Sequence, residues 1–203
     1  MEEDSYKTIA GPSRAVFRER GSKFYAYAWP VADEAQIKEH LDVLRKEYYD
    51  ATHHCYAWRL GPEGERERAN DDGEPSGSAG RPILGQMLSA GVTNLLIVVV
   101  RYFGGTKLGV PGLINSYRES ARAALDKAQI IERTVDIHFK VRFSYPVMND
   151  VMRVVKEVGP TVVSQSFDNV CEMELSIRRA RSMQLADRLE KCEGAEVESL
   201  GER

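Results

Sequence analysis

Two Gly-rich segments hold the residue types best suited to chemistry. The first reads Asn70-Asp71-Asp72-Gly73-Glu74-Pro75-Ser76-Gly77-Ser78-Ala79-Gly80-Arg81-Pro82. The second reads Arg101-Tyr102-Phe103-Gly104-Gly105-Thr106-Lys107-Leu108-Gly109-Val110-Pro111-Gly112. Each runs from turn-forming residues into a stretch of helical character. Each is therefore expected to present backbone N–H groups at a helix start, where phosphate and other anions bind. Neither has the spacing of a P-loop or of the G-x-G-x-x-G dinucleotide motif, so no standard ligand comes with them.

Asp71, Asp72 and Glu74 are three carboxylates within four residues. A hard cation such as magnesium could use one or two of them beside a bound phosphate. The competing reading is a solvated turn, where Asp is favoured for its local backbone hydrogen bonds. No metal and no cofactor is assigned. Ser76 and Ser78 lie among glycines, yet the G-x-S-x-G elbow is absent and no strand directly precedes either serine. They are expected to cap the helix that follows, with Gly77 and Gly80 supplying backbone freedom. In His53-His54-Cys55, neighbouring strand residues point to opposite faces, which separates His54 from Cys55. His53 and Cys55 share a face at about 6–7 Å, a spacing usual for half-buried sheet positions. No residue is assigned as catalytic.

The basic side chains form a more specific group. Residues 101–122 hold four of them, Arg101, Lys107, Arg118 and Arg122, against one acid, Glu119. Arg118 and Arg122 lie one helical turn apart and share a face with Asn115. Lys107 is expected near a helix N-terminus, where the helix dipole adds to its field. Lys23, with Arg18 and Arg20, joins the same surface if its hairpin lies alongside. Together with the backbone of Gly104 and Gly105, such a patch can hold RNA phosphates. Tyr102 and Phe103 offer stacking surface if exposed. The competing reading is a solvated helix face above core aromatics.

The elements that must position these groups follow from periodicity. Residues 16–20 and 23–29 read as an aromatic-rich hairpin. Asp33 caps a helix in which Ala35, Ile37, Leu41, Leu44 and Tyr48 recur near helical spacing. Residues 53–60 return to strand, and 61–74 form a charged, mobile loop. A short helix over 82–89 leads to the apolar strand 95–100, which aims the second Gly-rich segment at a sheet edge. The clearest helix spans 111–128, with Pro at its entry. Residues 130–133 mark a boundary. Beyond them comes strand (135–143), helix (146–158), strand (161–167), strand (170–177), helix (181–192) and strand (195–200). A two-residue turn, Asp168-Asn169, joins the middle strands. This β-α-β-β-α-β order belongs to ferredoxin-like domains.

Composition narrows the class. A chain of 203 residues holds one or two domains. Its net charge of −3 excludes coating nucleic acid by bulk charge but allows a local basic patch. The longest apolar run, 95–100, is too short to cross a membrane. The acidic start Met1-Glu2-Glu3-Asp4 lacks the features of a signal peptide. Three cysteines, Cys55, Cys171 and Cys192, without C-x-x-C spacing, read as reduced thiols of a cytoplasmic protein.

Residues 51–59 (Ala-Thr-His-His-Cys-Tyr-Ala-Trp-Arg), 71–80 and 101–109, with Gly21-Ser22-Lys23-Phe24 upstream, together resemble the IMPACT/YigZ family. The resemblance covers roughly residues 15–125, and the remainder fits the small second domain of bacterial members. It implies an α+β architecture, with a ribosomal-protein S5 domain 2-like domain over 1–131 and a ferredoxin-like domain over 132–203. Both folds resemble parts of a translocating elongation factor. The family's eukaryotic members act in translational control by competing for a partner of a stress kinase. The expectation is a non-enzymatic, translation-associated regulator that binds the ribosome, structured RNA, or a translation-factor or regulatory protein, with no membrane contact. The alternative is a phosphate- or nucleotide-handling enzyme built on the two Gly-rich loops.

Overall fold

A computed structural model describes residues 4–202. The chain divides into two compact units, one of residues 6–133 and one of residues from 134 onward together with Asp4 and Ser5. The architecture is α+β: an S5 domain 2-like unit followed by a ferredoxin-like unit.

In chain order the first unit contains β1 (Ser5–Ile9), β2 (Ser13–Glu19), β3 (Ser22–Pro30), α1 (Glu34–Glu47), β4 (His53–Leu60), β5 (Arg66–Asn70), α2 (Gly80–Ala90), β6 (Leu95–Tyr102), α3 (Gly109–Asp126) and β7 (Ile130–Thr134). Five strands form one sheet in the order β2-β3-β6-β4-β5, with antiparallel neighbours. The central strand β6 is buried on both faces, so its sequence is a continuous apolar run rather than an alternation. Its neighbours alternate. Phe24, Ala26, Ala28, Cys55 and Ala57 face the core shared with α2 and α3. Tyr25, Tyr27, Tyr56 and Trp58 face the other way, toward Ile37, Leu41 and Leu44 of α1.

Helix starts and stops follow local chemistry. Asp33 Oδ1 accepts from Gln36 N at 2.9 Å, and Gln36 Oε1 accepts from Ala32 N at 2.9 Å. This reciprocal pair satisfies donors at the α1 N-terminus. Gly91 ends α2 in the left-handed region, at φ 65°. Helix α3 buries small residues, Ser116, Ser120, Ala121 and Ala124, beside Leu113 and Tyr117. The two serine hydroxyls donate to carbonyls one turn back, so their burial leaves no orphan.

Three sequence expectations change here. Residues 61–74 are not one loop, because β5 lies within them and pairs with β4 from Tyr56↔Asn70 to Leu60↔Arg66. β5 is an edge strand with polar, largely exposed side chains, so backbone pairing forms it without an apolar pattern. Residues 130–133, expected as a boundary, are themselves a strand, β7, which pairs with β1 in a separate two-stranded sheet, and the first compact unit ends at Arg133. The long helix begins at Gly109 and ends at Asp126, two residues earlier at each end than its pattern suggests.

The second unit contains β8 (Asp136–Phe143), a 3-10 turn (Tyr145–Val147), α4 (Met148–Val158), β9 (Thr161–Phe167), β10 (Cys171–Arg178), α5 (Arg179–Glu190) and β11 (Ala195–Glu202). Its sheet runs β11-β8-β10-β9, all antiparallel. Val151, Val154 and Leu185 from the helices meet Phe139, Val141, Met173 and Leu175 from the sheet. Phe167 pairs with Cys171, so three residues rather than two connect β9 to β10.

Candidate functional site

The first Gly-rich loop is closed on itself by one carboxylate. Asp71 Oδ1 accepts from Ala79 N at 3.1 Å and Gly80 N at 2.8 Å, and Oδ2 accepts from Gly77 N at 2.9 Å. Burial pushes this carboxyl up, but the three backbone donors outweigh it and hold the group below the usual carboxylate range. The capping expectation for the serines is thereby corrected. Residue Ala79 precedes α2 with no side-chain cap of its own, Ser78 Oγ donates to the Pro75 carbonyl at 2.5 Å, and Ser76 is exposed. Asp71 reaches the helix start from eight and nine residues upstream. Gly80 is required by contact, since a Cβ there would stand 2.5 Å from Asn70 N.

The three carboxylates diverge. Asp72 Oδ2 accepts from His54 N at 2.6 Å, while the Asp72 carbonyl accepts from His53 Nδ1 at 2.7 Å. Glu74 turns inward, where its Oε1 accepts from Arg101 Nη1 at 2.5 Å and Tyr117 Oη at 2.8 Å. Its Oε2 lies 3.7 Å from His53 Nε2. Among the described residues no group of three or more His, Cys, Asp or Glu side chains is arranged to hold a metal ion.

Cys55 joins this buried cluster with its Sγ 3.0 Å from the Asp71 carbonyl oxygen and 3.3 Å from Tyr117 Oη, two acceptors within reach of its one S–H. Burial pushes the Cys55 thiol and the Tyr117 phenol far up, so neither ionises near neutrality. His54 points to the opposite sheet face, with its Nε2 on the Tyr48 carbonyl at 2.9 Å. The strand alternation therefore separates His54 and Cys55 as read from the sequence.

The five basic residues divide. Arg101 is 5% exposed and paired with Glu74, with its guanidinium over the rings of Phe24 and Phe103. It is a member of the core rather than of an exposed row. Lys23, Lys107, Arg118 and Arg122 are exposed; Arg122 approaches Asp126 at 3.9 Å on its own helix. Gly104 packs so tightly on the hairpin turn that a Cβ would fall 1.9 Å from the Gly21 carbonyl carbon. Ser22 Oγ accepts from Gly104 N at 3.2 Å and from Arg101 Nη2 at 3.4 Å. These contacts bring the β2–β3 turn beside the second loop, and a cavity of about 200 Å³ places Arg20 next to Asn115.

Between the two loops lies a cleft of about 350 Å³, lined by Glu74, Arg101, Phe103, Lys107, Val110 and Leu113 among others. Helix α3 starts at its mouth with no side-chain cap and no acid in its first turn. Sequence reasoning missed Tyr117, His53 and Ser22 as partners of this polar centre. Tyr117 sits in an apolar helical stripe and carries no local signal of its bond to a residue 43 positions away.

Residues 20–125 match the Impact N-terminal domain. The chain is 37% identical over 131 residues to IMPACT family member YvyE of Bacillus subtilis, covering 64% of this chain and 59% of that protein. It is 26% identical over 188 residues to IMPACT family member YigZ of Escherichia coli, covering 92% of each. A crystal structure of a hypothetical protein superposes with a TM-score of 0.73 at 25% identity and covers 96% of both chains. Domain match, relatives and architecture agree: this chain belongs to the IMPACT family.

Proposed function

We propose that this protein is a non-enzymatic, cytoplasmic regulator associated with translation, which binds ribosomal or other structured RNA, or a translation partner, through the loop–helix surface of residues 101–122. The reading rests on the family, whose eukaryotic members act in translational control, and on one observation in particular. Lys107 and Arg118 are exposed on an element whose helix N-terminus has no side-chain cap and no acidic neighbour in its first turn. Lys23 extends this surface from the adjoining hairpin, and the backbone of Gly104 and Gly105 leads into it. Exposed cations beside free N–H groups suit a phosphate backbone. Arg101 acts from below, by holding Glu74 and the base of the loop.

An enzymatic reading asks for a general base in the cleft. Its one carboxylate, Glu74, is already held by Arg101 and Tyr117, which favours binding over proton transfer.

The test is co-sedimentation with ribosomes and free ribosomal RNA at two salt concentrations. Three to four phosphate contacts weaken binding by about 20- to 150-fold between about 50 and 200 mM salt. Lys107→Glu/Arg118→Glu is expected to abolish retention. Retention that ignores both salt and the double substitution sinks the RNA reading, and nuclease treatment separates RNA from a protein partner.

A further inference from the structure

The cleft between the loops has a polar floor that a surface phosphate contact does not need. Arg101 lines it while 5% exposed, and its Nε has no hydrogen-bond partner among the described residues. Glu74 gives Oε1 to Arg101 and Tyr117, whereas among the described residues Oε2 makes no hydrogen bond and lies 3.7 Å from His53 Nε2. A carboxylate acceptor and a guanidinium donor therefore stand side by side at the base. The walls are apolar: Phe103 is 49% exposed and Val110 46%, with Leu113 behind them. The mouth is positive, because Lys107 forms no ion pair among the described residues and α3, 18 residues long, starts there uncapped.

A matching ligand has three parts: an edge carrying hydrogen-bond donors, a flat apolar body, and an anion at the far end. We propose that this cleft binds a nucleoside monophosphate unit. Its phosphate sits at the α3 N-terminus beside Lys107, its base lies against Phe103 and Val110, and an amino edge of the base donates to Glu74 Oε2. At about 350 Å³ the cleft is at the small end of ligand sites, sized for one such unit and too small for a duplex. The same chemistry is offered by a free mononucleotide and by the 5′-phosphorylated end of an RNA strand. The second source rests on the RNA-facing function proposed above.

The experiment compares a short 3′-labelled RNA bearing a 5′-phosphate with the same strand bearing a 5′-hydroxyl, by fluorescence anisotropy. AMP and inorganic phosphate serve as competitors, and AMP is also titrated directly by calorimetry. The phosphorylated strand is expected to bind about tenfold tighter, the worth of one charge-assisted contact. AMP should displace it at concentrations where inorganic phosphate does not. Phe103→Ala and Lys107→Glu should each erase the preference, and Lys107→Glu, on an exposed side chain, should do so with the melting temperature unchanged. AMP binding without either RNA identifies the free nucleotide as the source and supports the cleft while removing its RNA arm. Equal binding of both strands with no competition by AMP overturns the cleft and leaves the RNA-facing surface standing. Equal competition by AMP and inorganic phosphate overturns the nucleoside part, and binding of neither RNA nor AMP overturns the whole proposal.

Discussion

The two Gly-rich loops look alike as sequence and differ as structure. In the first, Asp71 takes three backbone donors, Asp72 takes one from β4, and Glu74 enters a buried ion pair. Each of its carboxylates is engaged by donors of the protein, and Glu74 alone keeps one oxygen, Oε2, for a further partner. In the second, Gly104 is locked against the hairpin, but Lys107 stays exposed and the helix behind it starts without a cap. Glycine thus serves opposite ends here. At Gly80 and Gly104 it lets two backbones approach, whereas around Lys107 the chain leaves its cation for solvent. A Gly-rich segment marks a binding loop only when the donors nearby remain unspent.

Substitutions that separate a structural loop from a binding loop should differ in size. The largest effect is expected at the buried pair. Glu74→Ala leaves Arg101 charged and unpaired in the core, which should cost about 3–5 kcal/mol in urea denaturation. A stability change below about 1 kcal/mol would show that water compensates the guanidinium, and the first loop would lose its structural status. Gly104→Ala should come next, since its Cβ meets the Gly21–Ser22 backbone rather than a flexible side chain. Overpacking of that kind costs about 1–3 kcal/mol and would also loosen the hairpin from the loop.

Asp71→Asn should cost about 1–2 kcal/mol at neutral pH, as for other lost caps, and its effect carries a pH signature. The folded-state value of Asp71 is depressed, so its ionised form stabilises the fold above the unfolded value of about 4. That stabilisation is lost as pH falls through the folded value. The stability gap between wild type and Asp71→Asn should therefore shrink on acidification, and a gap constant with pH would refute the carboxylate cap. The smallest stability effect belongs to Lys107→Glu, within about 0.5 kcal/mol, because the side chain is exposed. Its effect on RNA retention should be large. A variant that unfolds instead would erase the contrast between the loops.

Much of the second unit was legible in the sequence. The β8–β11 strands and α4–α5 helices stand in the expected order, because β8, β10, α4 and α5 carry buried apolar positions at their own periods and turn residues separate the elements, while β9 is exposed throughout and is held by pairing with β10. β5 and β1 were not legible. β1 is held by the distant strand β7, and β5 by backbone pairing with β4, where its polar side chains on a sheet edge leave no periodic trace. Within the site, the exposure of Lys107 and Arg118 agrees with their polar positions, while the burial of Arg101 runs against its charge. Arg101 is the last buried residue of β6, a strand buried along almost all of its length, so strand geometry carries it inward and Glu74 neutralises it there.

By itself the sequence determined the central strand and the two loops with their helices, which follow from local periodicity and turn chemistry, while its motifs, through their resemblance to a known family, carried the family and the α+β class. Only the tertiary structure decided which charges remain available. Glu74 finds Arg101 27 residues away and Tyr117 43 residues away. Such partners are chosen by the geometry of a folded sheet and its desolvated interior, where an unpaired charge is too costly to persist, and no spacing along the chain encodes them.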